Sequence, residues 1–159
     1  MSLDINTPRG QKSVQEEQEM LSILKTKYSS QFIHTPITCA ALIDGFIVKN
    51  DKLIAIYESK CRSESLESFK KPPFNNEWLI SHHKINSGAS LSKALAVPFW
   101  GFLYLVPDRK IIAFQITDNK GNCIKPMRIE RRKTSKCCNG GTIIDTCVFI
   151  NINNGIHVN

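Results

Sequence analysis

Hydrophobic positions recur along this chain with two different periods. Over residues 11–28, Val14, Leu21, Leu24 and Tyr28 fall on one stripe at about 100° per residue, which predicts an amphipathic helix entered through Thr7-Pro8 and Ser13. Glu17 lies in the middle of that stripe, whereas Glu16 and Glu19 point away from it, and an acid directed at the core needs a reason. A strand is expected over residues 32–38. A hairpin follows, with residues 40–48 going out, a turn at 49–52 and residues 53–60 returning. Asp44 interrupts the outgoing strand. On the returning one, Ile54, Ile56, Glu58 and Lys60 share a face, and Leu53, Ala55 and Tyr57 share the other. Both faces are apolar up to the tip, so the strand is expected at the centre of a sheet, with an end that turns abruptly polar. Such ends often carry chemistry.

After a polar loop with Pro72-Pro73, the spacing predicts a helix over residues 76–96, loosened at Gly88, with Lys84 on the stripe of Ile80, Gly88, Leu91 and Leu95. Residues 99–106 and 110–117 read as strands about a Pro107-Asp108 turn. Beyond Asp118 one β-rich run, 142–152, is expected, and the Asn-rich residues 151–159 read as a frayed end.

With 159 residues, 42% of them hydrophobic and 22% charged, the chain suits a single domain, its core over about 11–117 and a basic, β-rich extension over about 118–159. The longest apolar stretch, 94–106, is broken by Pro98 and falls short of the ~20 residues of a membrane helix. The first ten residues hold no apolar signal region, so a soluble cytoplasmic protein with no membrane partner is expected. Lys and Arg number 21 against 14 Asp and Glu, a formal charge of +7 that suits a polyanionic partner. Much of the excess is local: Lys125, Arg128, Arg131, Arg132, Lys133 and Lys136 stand together against one acid, Glu130. This segment reads as a solvated loop or as one that contacts phosphates. Six cysteines without a CxxC pair or finger-spaced histidines signal neither a zinc site nor a disulfide framework, and adjacent Cys137-Cys138 are a poor ligand set alone. Trp78 and Trp100 read as core or interface, because no aromatic residues interleave with the basic run.

The two periods bring three carboxylates and a lysine toward one place. Glu17 comes from the first helix, Asp44 from one strand of the hairpin, and Glu58 and Lys60 from the other. Acids held this close repel, raising at least one pKa unless a cation neutralises them, and hard oxygen ligands favour Mg²⁺ or Mn²⁺. Such a site suits phosphodiester hydrolysis, with the Lys60 ammonium stabilising charge on the phosphate or orienting the attacking water.

The run Asp44-Gly45-Phe46-Ile47, followed by Ile54-Ala55-Ile56-Tyr57-Glu58-Ser59-Lys60, resembles the D…(D/E)xK signature of the PD-(D/E)XK, or restriction-endonuclease-like, nuclease superfamily. With the preceding helix, the hairpin and the following helix and strand, the resemblance covers an αβββαβ core over residues 11–117. Small Holliday-junction resolvases and related phage nucleases look most similar, since they too use a Glu on the first helix. The resemblance implies an α/β fold with a mixed central sheet flanked by helices. It implies Glu17, Asp44 and Glu58 as metal ligands with the backbone carbonyl of Ser59, and Lys60 as the catalytic lysine. Ile43 stands where the family's naming Pro would be. A homodimer would set two sites on one substrate.

Lys84, at a position where family members often carry Lys or Gln, either points toward the site or snorkels at a helix edge. Arg9 and Lys12 could grip a phosphate backbone near Glu17 or be ordinary surface charge, and His82-His83 could donate to phosphate or be a surface pair. Together with Lys84, the basic residues Arg131, Arg132 and Lys133 would supply salt-sensitive affinity. The expectation is a Mg²⁺- or Mn²⁺-dependent nuclease acting on DNA, structure-specific for junctions or branches. The alternatives are a non-catalytic nucleic-acid-binding protein on the same fold, or a ribonuclease. A pure phosphate binder gains nothing from three acids in one pocket, because they repel its ligand.

Overall fold

The computed structural model describes residues 6–38, 41–135 and 141–159. It opens with helix α1 (Pro8–Tyr28). Thr7 caps it, its hydroxyl accepting from the Gly10 N–H at 3.0 Å, Pro8 occupies the first turn where no N–H is required, and Lys25 and Lys27 complement the carbonyl end. Three antiparallel strands follow: β1 (Gln31–His34), β2 (Gly45–Lys49) and β3 (Lys52–Arg62). Asn50 and Asp51, both at positive φ, make the tight β2–β3 turn that a right-twisted hairpin favours. Then come the short helix α2 (Leu66–Phe69), strand β4 (Glu77–Ser81), helix α3 (His82–Leu95), and strands β5 (Phe99–Leu105), β6 (Lys110–Thr117), β7 (Arg128–Ser135), β8 (Thr142–Asn151) and β9 (Ile156–His157).

The architecture is α/β with a mixed six-stranded sheet, order β1-β2-β3-β5-β6-β9, in which β3 and β5 run parallel and the other neighbours antiparallel. A second sheet, β4-β8-β7, packs on one side. Strand β3 is interior to its sheet, as its two apolar faces require. Its Tyr57 face is covered by α1 through Met20, Leu21 and Leu24, together with Phe32, Phe102, Tyr104 and Val158. Its Ile56 face, beside Phe99 of β5, is covered by α3 and the second sheet through Ile85, Trp78, Ile80, Val148 and Ile150. Gly88 lets α3 lie close on β5: a Cβ there would come within 2.2 Å of the Phe99 ring. No helix among the described residues is long and apolar enough to cross a membrane.

Four expectations change. The helix expected over 76–96 begins only at His82, because residues 77–81 form β4, with Trp78 and Ile80 buried on one face and paired to β8. Asp44 is not inside a strand; it lies in the bend just before β2. The basic segment is largely strand β7 rather than loop, and Cys137, Cys138 and Lys136 lie outside the described residues. Residues 151–159 are not frayed: β9 pairs with β6, Val158 is buried, and the Asn159 side chain accepts from the Ile111 N–H and donates to the Arg109 carbonyl.

Candidate active site

The polar end of β3 meets three other elements. Asp44 is aimed by its backbone. Its N–H donates to the Tyr57 carbonyl, continuing the β2–β3 ladder, and its carbonyl accepts from the Thr35 N–H at 2.8 Å and from the Thr35 hydroxyl at 3.0 Å. Gly45 follows because β1 and the Tyr57 ring leave no room for a side chain, a Cβ there lying 2.4 Å from the Ile33 carbonyl oxygen. Asp44 Oδ2 accepts from the Ser59 N–H at 2.8 Å. The Ser59 hydroxyl stands 2.7 Å from Glu17 Oε1 and 3.1 Å from Asp44 Oδ2, so its one proton ties the α1 acid to the acid before β2.

Glu58 is on the other face of β3, only 9% exposed. The Lys84 ammonium, from the first turn of α3, lies 3.2 Å from each Glu58 oxygen, 3.5 Å from Asp44 Oδ1 and 3.2 Å from the Ala41 carbonyl. The polar contacts therefore run unbroken from Glu17 through Ser59, Asp44 and Lys84 to Glu58, passing from one face of the sheet to the other at the strand end.

Burial and the neighbouring Asp44 charge push Glu58 up to about 8, against the opposing pull of Lys84. Burial alone would lower the Lys84 pKa, but Glu58 and Asp44 outweigh it and raise it, so the ammonium persists. On the α1 side, burial raises Glu17, yet His34 and Ser59 together bring it below the ordinary carboxylate value. His34 Nδ1 is 2.5 Å from the Thr35 carbonyl, which can only accept, so Nδ1 carries a proton. Its Nε2 lies 2.9 Å from Glu17 Oε1, an ion pair rather than an aligned hydrogen bond. The Glu17 contact lifts His34 to about 9, and the ring is an imidazolium at neutral pH.

The sequence-expected residues divide into those that meet and those that do not. Glu17, Asp44, Glu58 and Ser59 are brought together, and Lys84 joins them from α3. Lys60 is exposed and acts on Glu17 and Glu58 through its field; no ion pair holds it among the described residues. Arg9 is exposed at the start of α1, and Lys12 pairs with Glu16 at 3.6 Å. Arg131, Arg132 and Lys133 are on β7, on the other sheet. His34 and the Ser59 hydroxyl were missed by sequence reasoning. The two-residue period could have found His34, which closes the first strand of the meander just before Thr35 and the loop to Asp44. Cys61 offers no nucleophile, because burial pushes its thiol up to about 12.

Among the described residues, no three His, Cys, Asp or Glu side chains already converge as a metal's ligands do. The space between Asp44 and Glu58 is taken by the Lys84 ammonium, which balances their charge. The carboxylate oxygens of Asp44 and Glu58 are the donor type that a hard divalent ion takes. No protein-family model, curated protein or solved structure matches the chain.

Proposed function

We propose that this chain is a metal-dependent nuclease that hydrolyses phosphodiester bonds in DNA, on a restriction-endonuclease-like core. The observation that carries the reading is the juxtaposition of Asp44, Glu58 and the Ser59 backbone at the polar end of β3, with Lys60 exposed two residues from Glu58. The order helix, antiparallel three-stranded meander, helix and parallel strand supports the same reading, with α2 and β4 as an insertion before the second helix.

In this reading Asp44, Glu58 and the Ser59 carbonyl would hold Mg²⁺ or Mn²⁺ beside Glu17. The ion would supply Lewis-acid polarisation of the scissile phosphate and a lowered pKa for bound water. The chain's own residues do the rest. Lys60, free of ion pairs among the described residues, orients the attacking water or balances charge building on the phosphate. Lys84 neutralises the acids until the site is loaded, and the Ser59 proton fixes the spacing of Glu17 and Asp44. Two copies would set two such sites on one junction or branch.

One observation favours a binding protein without catalysis: Lys84 and His34 already balance much of the acidic charge. Labelled linear duplex, four-way junction, single-stranded DNA and RNA, each with Mg²⁺, Mn²⁺ or EDTA, separate the two. The nuclease reading expects cutting in the metal lanes only; binding of the same probes without cutting under any metal supports the alternative.

A further inference from the structure

Strand β7 is an edge strand and is exposed over almost its whole length. Its partner β8 is flanked by β4 only as far as the Ser81–Cys147 pair. Beyond that level, from Arg131 opposite Thr146 to Ser135 opposite Thr142, the two strands continue alone as a ribbon about 15 Å long. The ribbon starts where β4 gives way to α3, three residues before Lys84, whose ammonium touches Glu58.

The two faces of the ribbon differ. On one, Arg128 is clamped by Glu77 and Glu130, and Arg132 pairs with Glu130 at 3.5 Å. On the other, Arg131 and Lys133 have no acidic partner among the described residues and lie beside Ile129 and Ile144, which are 56% and 64% exposed. This is the face that, nearer the body, turns Val148 and Ile150 toward Trp78 and Ile80 in the core.

An unneutralised basic face asks for a polyanion. Pairing of β7 with a second copy would set its Arg and Lys residues against one another, which like charges across an edge oppose. The ribbon residues 131–135 and 142–146 include no aromatic side chain on which an unpaired base could stack. A two-stranded ribbon fits the roughly 12 Å major groove of B-form DNA, whereas the A-form major groove is too narrow for it. Exposed isoleucines suit thymine methyl groups in that groove.

We infer that the β7–β8 ribbon is a groove arm for double-stranded DNA, with Arg131 and Lys133 contacting phosphates. This rests on the nucleic-acid reading above and deepens it to one duplex form. The test is fluorescence anisotropy in EDTA, so that no strand is cut, with a 20-base-pair DNA duplex, the RNA duplex of the same sequence and single-stranded DNA, titrated with salt. For the R131A/K133A variant, the slope of log affinity against log salt on duplex DNA should fall by about 1.8, about 0.9 for each phosphate no longer neutralised. The charge-retaining R131K/K133R variant should keep the parent slope, which separates charge from folding. Failure of the parent to bind duplex DNA, an unchanged slope in R131A/K133A, or equally weakened binding of all three probes would overturn the arm. Arm-dependent binding with no cutting in Mg²⁺ or Mn²⁺ would instead overturn catalysis and leave the arm standing.

Discussion

Lys84 bridges both carboxylate oxygens of Glu58 at 3.2 Å and reaches Asp44 at 3.5 Å, so a side chain from α3 provides positive charge to an acid of β3 and to the acid just before β2. The arrangement couples the charge balance of the site to the packing of α3 on the sheet.

Replacing Lys84 with Met leaves that pair without a cation. Removing one partner of a fully buried pair costs about 3–5 kcal/mol; here, with Lys84 about a third exposed, about 1–3 kcal/mol is expected. In EDTA the melting temperature should drop by several degrees, and Mn²⁺ should raise it more in K84M than in the parent. An equal Mn²⁺ increment in the two proteins would mean that the ion does not take the place of the ammonium.

The metal-free protein should lose stability as pH rises. Glu58 is raised from 4.5 to about 8, so the folded state holds its proton more tightly than the unfolded one; that contribution is complete below about 4.5 and lost on the way to 8. His34, raised from 6.5 to about 9, acts with the same sign, complete below about 6.5 and lost as pH passes 9. Urea melts in EDTA at pH 6 and pH 9 should therefore show the lower midpoint at pH 9. Glu58→Gln should flatten the profile between 5 and 8, and His34→Ala the part between 6.5 and 9. A parent profile rising over this range would contradict both assignments.

Gly88→Ala tests whether α3 is held by close approach. The added methyl meets the Phe99 ring of β5, and overpacking of this kind costs about 1–3 kcal/mol. Thermal unfolding should show a loss of about 2–4 °C per kcal/mol for a chain of this size. Because α3 carries Lys84 away from Glu58 and Asp44 when it shifts, the same variant should also enlarge the Mn²⁺-dependent increment, as K84M does.

Much of this was legible locally. Glu17, Asp44 and Glu58 announce themselves by breaking apolar stripes, and the β2–β3 hairpin is written in Asn50-Asp51 and the alternation on either side of it. The end of β3 turns polar within a strand paired on both edges, which is why the candidate residues were sought there. What failed is what depends on distant pairing. Residues 77–81 alternate, but their helical-looking continuity with α3 conceals this, and the partner that makes them a strand is β8, some 70 residues on. Val158 and Asn159 look disposable in an Asn-rich stretch until Ile111 and the α1 face of the sheet come to meet them. His34 escaped for a related reason: the two-residue period sets it on the Phe32 face of β1, but its partner Glu17 is on a helix, so no shared period links the two.

The central claim is that Asp44 and Glu58 serve cleavage. Single-turnover cutting of the best substrate, at pH 8 in saturating Mg²⁺, should fall by at least about 10³-fold in Glu58→Ala, with the protein folded by circular dichroism and still binding the probe in EDTA. A Glu58→Ala protein that cuts at the parent rate would contradict the assignment.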